Sequence, residues 1–163
     1  MLEGLILAVL IGVTATTLAD AWTLFQQRVL GMQGPNWALV GRWIGYMPQG
    51  QFFHSSIAKA PALPAERVLG WATHYLIGIG FAALLLLING VDWVLRPTLL
   101  PALALGVATV LAPYLIMQPG MGAGLFASKT PNPAAARARS LLAHTVFGVG
   151  LYLAGLLWSA ALG

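Results

Sequence analysis

Two histidines and one aspartate are the residues of this chain whose types and spacing best suit chemistry. Arg67, His74, Gly78 and Gly80 follow the pattern R-x6-H-x3-G-x-G, and Arg137, His144, Gly148 and Gly150 repeat it. Imidazole titrates near neutral pH, relays protons and ligates metals or haem iron. A carboxylate such as Asp20 also relays protons, and it is costly to keep inside a membrane. Each histidine pattern heads a long apolar run, so these groups ride on helices that cross a bilayer.

The spacing puts the groups on defined faces. Arg67, Trp71, His74 and Gly78 advance by four, three and four residues, which makes one helical stripe, and Arg137, Leu141, His144 and Gly148 do the same. Both histidines lie about ten residues past a helix-starting proline, or roughly 15 Å along the axis. Asp20 falls near the cytoplasmic end of the first span and Tyr114 at the matching level of the third. Asp20, Arg67, His74, Tyr114, Arg137 and His144 are therefore the candidate ligand-binding residues. Gly78, Gly80, Gly148 and Gly150 are expected to let a partner helix or a flat ligand approach closely.

Composition fixes the class. Charged residues make up 7% of the 163 and hydrophobic ones 59%, against roughly a quarter charged in a soluble domain. The reading is one all-α membrane domain over 1–163 with four spans, at about 2–25, 64–88, 98–117 and 133–161. An interfacial segment over about 36–60 lies in the first connection. There, Asn36 can cap a short helix whose Trp37, Val40, Trp43, Ile44 and Met47 share one side, with Arg42 snorkelling to headgroups. Ala19-Asp20-Ala21 mimics a signal-peptide cleavage site, but the preceding segment has Glu3 and no basic residue, so a retained helix is expected. Pro113 should kink the third span. Asn132-Pro133 should open the fourth.

The net charge of +4 comes from loops. Arg28, Arg42 and Lys59 lie in the first connection and Lys129, Arg137 and Arg139 in the third. The positive-inside rule then puts both termini in the periplasm and these two connections in the cytoplasm of a bacterial inner membrane. A nucleic-acid partner is not expected. With no cysteine there is neither a disulfide nor a thiolate metal site. His54 reads as an interfacial histidine and Ser128-Lys129 as a solvated turn.

The duplication reaches further than the histidines. Leu10-Ile11-Gly12-Val13-Thr14-Ala15 resembles Ala104-Leu105-Gly106-Val107-Ala108-Thr109, so the spans form two tandem hairpins of the parallel-repeat kind. Three further segments carry a family likeness: Asn36-Trp37-Ala38-Leu39-Val40-Gly41-Arg42-Trp43, Met117-Gln118-Pro119-Gly120-Met121-Gly122 and Thr130-Pro131-Asn132-Pro133-Ala134. On these the chain resembles the small bacterial inner-membrane proteins of domain-of-unknown-function family 2938. The resemblance implies a four-span membrane protein and no particular activity.

Three functions fit these residues. One is binding or transport of a small anionic or proton-coupled ligand at the His/Asp/Arg cluster, in a homo-oligomer. Another is a redox or metal protein, with His74 and His144 on a haem, or with His74, His144 and Asp20 around a divalent metal. The last is a non-catalytic subunit or assembly factor of a larger membrane complex. No catalytic motif supports an enzyme.

Overall fold

The computed structural model describes residues 2–162, which are helical and contain no strand. Helix α1 covers Leu2–Leu30, with Glu3 in its first turn and Arg28 in its last, charges that complement the helix dipole. It continues past Phe25 because Gln26, Gln27 and Arg28 are good helix formers that hydropathy alone excludes. Helix α2 covers Trp37–Tyr46 and is capped by Asn36, whose side chain accepts from the Ala38 amide.

Helix α3 covers Glu66–Asn89. Pro64 precedes it instead of starting it, because Ala65 takes a left-handed φ of 58° that breaks the helical path. The Glu66 carboxylate accepts from the Leu63 amide at 3.0 Å and fixes the start one turn later.

Helix α4 covers Leu99–Ala108. Pro113 has no N–H to continue the ladder, and Pro113–Met117 winds as a wider π turn that carries Tyr114. The short α5, Gln118–Met121, completes the stretch and ends at Gly122 with φ 94°. Helix α6 covers Pro133–Leu162, opened by Asn132, whose side chain accepts from the Ala135 amide at 3.0 Å.

Four helices are long and apolar enough to cross a membrane: Leu2–Leu30, Glu66–Asn89, Leu99–Met121 and Pro133–Leu162. Between 22% and 33% of the most apolar window of each is buried within the chain, so most of that surface is left for lipid.

The chain divides into two compact units. The first comprises Met1–Gly34, Tyr75–Thr109 and Leu142–Gly163. Its core is Ile11, Leu85 and Leu151, all fully buried, with Leu7, Ala15 and Ala154 around them. Glycines set the helix spacing. A Cβ on Gly12 of α1 would lie 2.5 Å from the Ile79 Cα of α3, and one on Gly78 would strike the Thr16 hydroxyl. A Cβ on Gly106 of α4 would run into the Gly148 backbone of α6, and one on Gly150 would lie 3.0 Å from the Ala15 carbonyl. Small residues at these crossings permit the backbone approach on which helix packing in lipid depends.

The second unit comprises Pro35–His74 and Val110–Leu141. The apolar side of α2 is buried inside it: Trp43 and Tyr46 pack with Ile57, and Met117 and Met121 lie against them. The Trp43 indole donates to the Phe52 carbonyl at 2.9 Å, and the Tyr46 hydroxyl to the Pro61 carbonyl at 3.0 Å.

Arg42 does not snorkel to headgroups. It forks onto the Glu66 carboxylate at 2.7 and 2.9 Å and donates to the Ala60 carbonyl at 2.9 Å. The planar guanidinium matches both carboxylate oxygens and keeps a further donor for a backbone carbonyl. The bond to Glu66 also holds Arg42 above its already high ordinary pKa, so the ion pair persists at any physiological pH.

Candidate functional site

In the first unit, hydrogen bonds between side chains of the membrane-spanning helices hold two titratable groups. The Tyr75 hydroxyl of α3 donates to Oδ2 of Asp20 on α1 at 3.1 Å. The Thr17 hydroxyl stands 3.4 Å from the same Tyr75 oxygen and itself donates to the Val13 carbonyl. The second pair joins α6 to the end of α4: His144 Nδ1 is 2.8 Å from the Thr109 hydroxyl, which also donates to the Gly106 carbonyl. A carboxylate and an imidazole are thus each held by a hydroxyl from a neighbouring helix, as costly groups in lipid require.

The remaining predicted residues belong to the second unit. His74 is stacked on the Trp37 indole with ring centroids 3.9 Å apart, and Trp71 meets it edge-on at 5.8 Å. Arg67 is exposed at the start of α3. Tyr114 is buried and donates to the Arg137 carbonyl at 2.6 Å. Arg137 donates through Nε to the Phe126 carbonyl at 2.7 Å. Tyr114 and Arg137 therefore support a loop. Of the glycines, Gly78, Gly148 and Gly150 lie at helix crossings, whereas a Cβ on Gly80 would meet nothing within 4 Å.

Among the described residues, no group of three or more His, Asp or Glu side chains is placed to hold a metal ion. The metal reading of His74, His144 and Asp20 therefore has no ligand set. His74 is engaged by Trp37 and His144 by Thr109, an arrangement that offers nothing in favour of a haem.

The loop that Arg137 holds carries a feature that apolar length and helix periodicity do not reveal. Phe126 and Ala127 have φ of 50° and 57°, a left-handed conformation that costs of order 1–3 kcal/mol per non-glycine residue and tends to collect at functional sites. Thr130 and Arg137 clamp the two strained carbonyls at 2.8 and 2.7 Å. Beside the loop is a cavity of about 450 Å³ whose wall includes His54, Gly122, Gly124, Ser128 and Lys129. Both ring nitrogens of His54 are enclosed and have no hydrogen-bond partner in the protein. The available signal was the run Gly120-Met121-Gly122-Ala123-Gly124 leading to Ser128-Lys129, whose glycines permit the turns.

Four long apolar helices, with polar side chains satisfied across them, are the make-up of a multi-pass membrane protein. A family model matches residues 9–158, and the chain belongs to that family, described as Protein of unknown function (DUF2938). No curated protein and no solved structure matches it.

Proposed function

We propose that this chain binds a small solute and carries it across the membrane together with a proton, with Asp20 as the coupling group. One observation carries the reading: the Asp20 carboxylate, on a membrane-spanning helix, accepts a hydrogen bond from Tyr75 on another. A charged carboxylate on a membrane-spanning helix is costly, so it is kept where it is used. The carboxylate is neutral with a proton bound and anionic without one. A bound proton neutralises the carboxylate, so a small anionic solute can approach it at that depth and the two can cross together with no net charge moved. Tyr75 and Thr17 supply hydroxyls that donate or accept as the carboxylate changes state.

The glycine crossings support a duplicated architecture, since Gly12 against Gly78 and Ile79, and Gly106 against Gly148, fall within one residue of positions that the internal repeat equates. In this reading the basic connections face the cytoplasm.

A thermal-shift screen of detergent-purified protein tests the proposal, using methylamine, acetate and lactate across a range of pH. The parent should be stabilised by at least one of these in a pH-dependent way, and Asp20→Asn should not respond. An Asp20→Asn protein that responds like its parent removes the basis of the proposal.

A further inference from the structure

We propose that the cavity of the second unit is a binding site for a phosphate group carried on a short organic backbone. The inference uses none of the residues assigned to proton coupling and stands apart from that reading.

Three kinds of group meet at the cavity. Lys129 brings a full positive charge on a flexible stem, and Ser128 next to it brings a hydroxyl. The His54 imidazole forms part of the wall, with both ring nitrogens enclosed and without a protein partner. Enclosed polar atoms are normally hydrogen-bonded, so in this proposal the ring turns a nitrogen toward the cavity when a phosphate oxygen arrives to satisfy it. An ammonium, a hydroxyl and an imidazole together are the side chains that bind oxyanions. No carboxylate lines the cavity to repel one.

The backbone holds these groups in place. The His54 amide donates to the Gly120 carbonyl at 2.9 Å, which fixes the histidine segment to the glycine-rich loop. The Lys129 amide donates to the Ala123 carbonyl at 2.8 Å, closing the loop on itself. A Cβ on Gly124 would collide with the Ser128 hydroxyl and lie 2.9 Å from Lys129 Cγ, so only glycine leaves both side chains where they are. Gly122 and Gly124 take φ of 94° and 75°, conformations that L side chains rarely adopt.

The rest of the wall is apolar. Phe53, Pro119 and Leu125 line the cavity, and Phe53 is 78% exposed. A bare ion has no use for such a surface, whereas a glycerol-like backbone attached to the phosphate does. The ligand chemistry is therefore a phosphate ester, from either a soluble phosphomonoester or the headgroup of an anionic phospholipid.

The test uses the full chain in phosphatidylcholine nanodiscs. In one arm, sn-glycerol 3-phosphate and inorganic phosphate are titrated and binding is followed by calorimetry. In the other, phosphatidylglycerol is incorporated and retained lipid is counted by native mass spectrometry. The exposed Lys129→Gln should weaken binding of whichever source is recognised by about tenfold or more, as loss of a charge-assisted bond implies. Arg139→Gln, a change at another exposed cation, should leave binding as in the parent. His54→Asn should weaken it as well, and Lys129→Gln decides the matter if that variant does not fold.

Saturable binding of glycerol phosphate that depends on Lys129 supports the proposal with a soluble ligand. Selective retention of phosphatidylglycerol that depends on Lys129 supports it with a lipid. Binding in neither arm overturns it, and so does an equal loss in Lys129→Gln and Arg139→Gln.

Discussion

Arg137 Nε donates to the carbonyl of Phe126 at 2.7 Å, and Phe126 and its neighbour Ala127 are both held in the left-handed region. The arginine that heads the second histidine motif thus acts on a loop. Removing it should release the turn. In Arg137→Ala, amide exchange over residues 124–130 should rise sharply, with a stability cost of about 1 kcal/mol, low for a charged bond because the site is exposed. Hydrogen exchange resolved by mass spectrometry checks this, and unchanged protection would show that the loop holds itself.

Two glycines that differ in surroundings should respond differently. Gly106→Ala forces a methyl into the Gly148 backbone and should destabilise by about 1–3 kcal/mol, the usual range for overpacking. Gly80→Ala meets nothing within 4 Å and should be neutral or stabilising by up to about 1 kcal/mol, through helix propensity alone. Thermal unfolding in one detergent gives the comparison.

Thr109 holds the imidazole of His144. Thr109→Val keeps the shape but leaves Nδ1 without its hydroxyl, at a cost of about 1–3 kcal/mol, whereas Thr109→Ser should stay near the parent. If the valine and serine variants unfold together, the hydroxyl has no role in stability.

Arg42 joins α2, the Ile57–Lys59 turn and the start of α3 through the Glu66 fork and the Ala60 carbonyl. Arg42→Ala should open the segment between Tyr46 and Glu66 to limited proteolysis. Arg42→Lys should rescue it only in part, because an ammonium cannot occupy both carboxylate oxygens and the backbone carbonyls in one plane. Full protection in the lysine variant would reduce the fork to simple charge pairing.

The spans were legible because apolar length is a one-dimensional property, and Asn36 and Asn132 were legible as caps because capping is local. Arg42 was misread because its partner, Glu66, is 24 residues away. Asp20 could be singled out by its cost in lipid, but the Tyr75 hydroxyl, 55 residues on, is reached only through helix packing. His54 reads as an interfacial histidine and Lys129 as part of a solvated turn for the same reason. Each is unremarkable alone, and only the fold of the glycine-rich loop puts them in one wall.

Proton entry into sealed proteoliposomes, read by an internal pH dye under an inward lactate gradient, tests the role of Asp20 most directly. With lactate supplied, the parent protein should admit protons faster than empty vesicles, Asp20→Asn should fall to the empty-vesicle rate, and Tyr75→Phe should lie between. An Asp20→Asn protein that conducts like the parent, or a parent indistinguishable from empty vesicles, would contradict it.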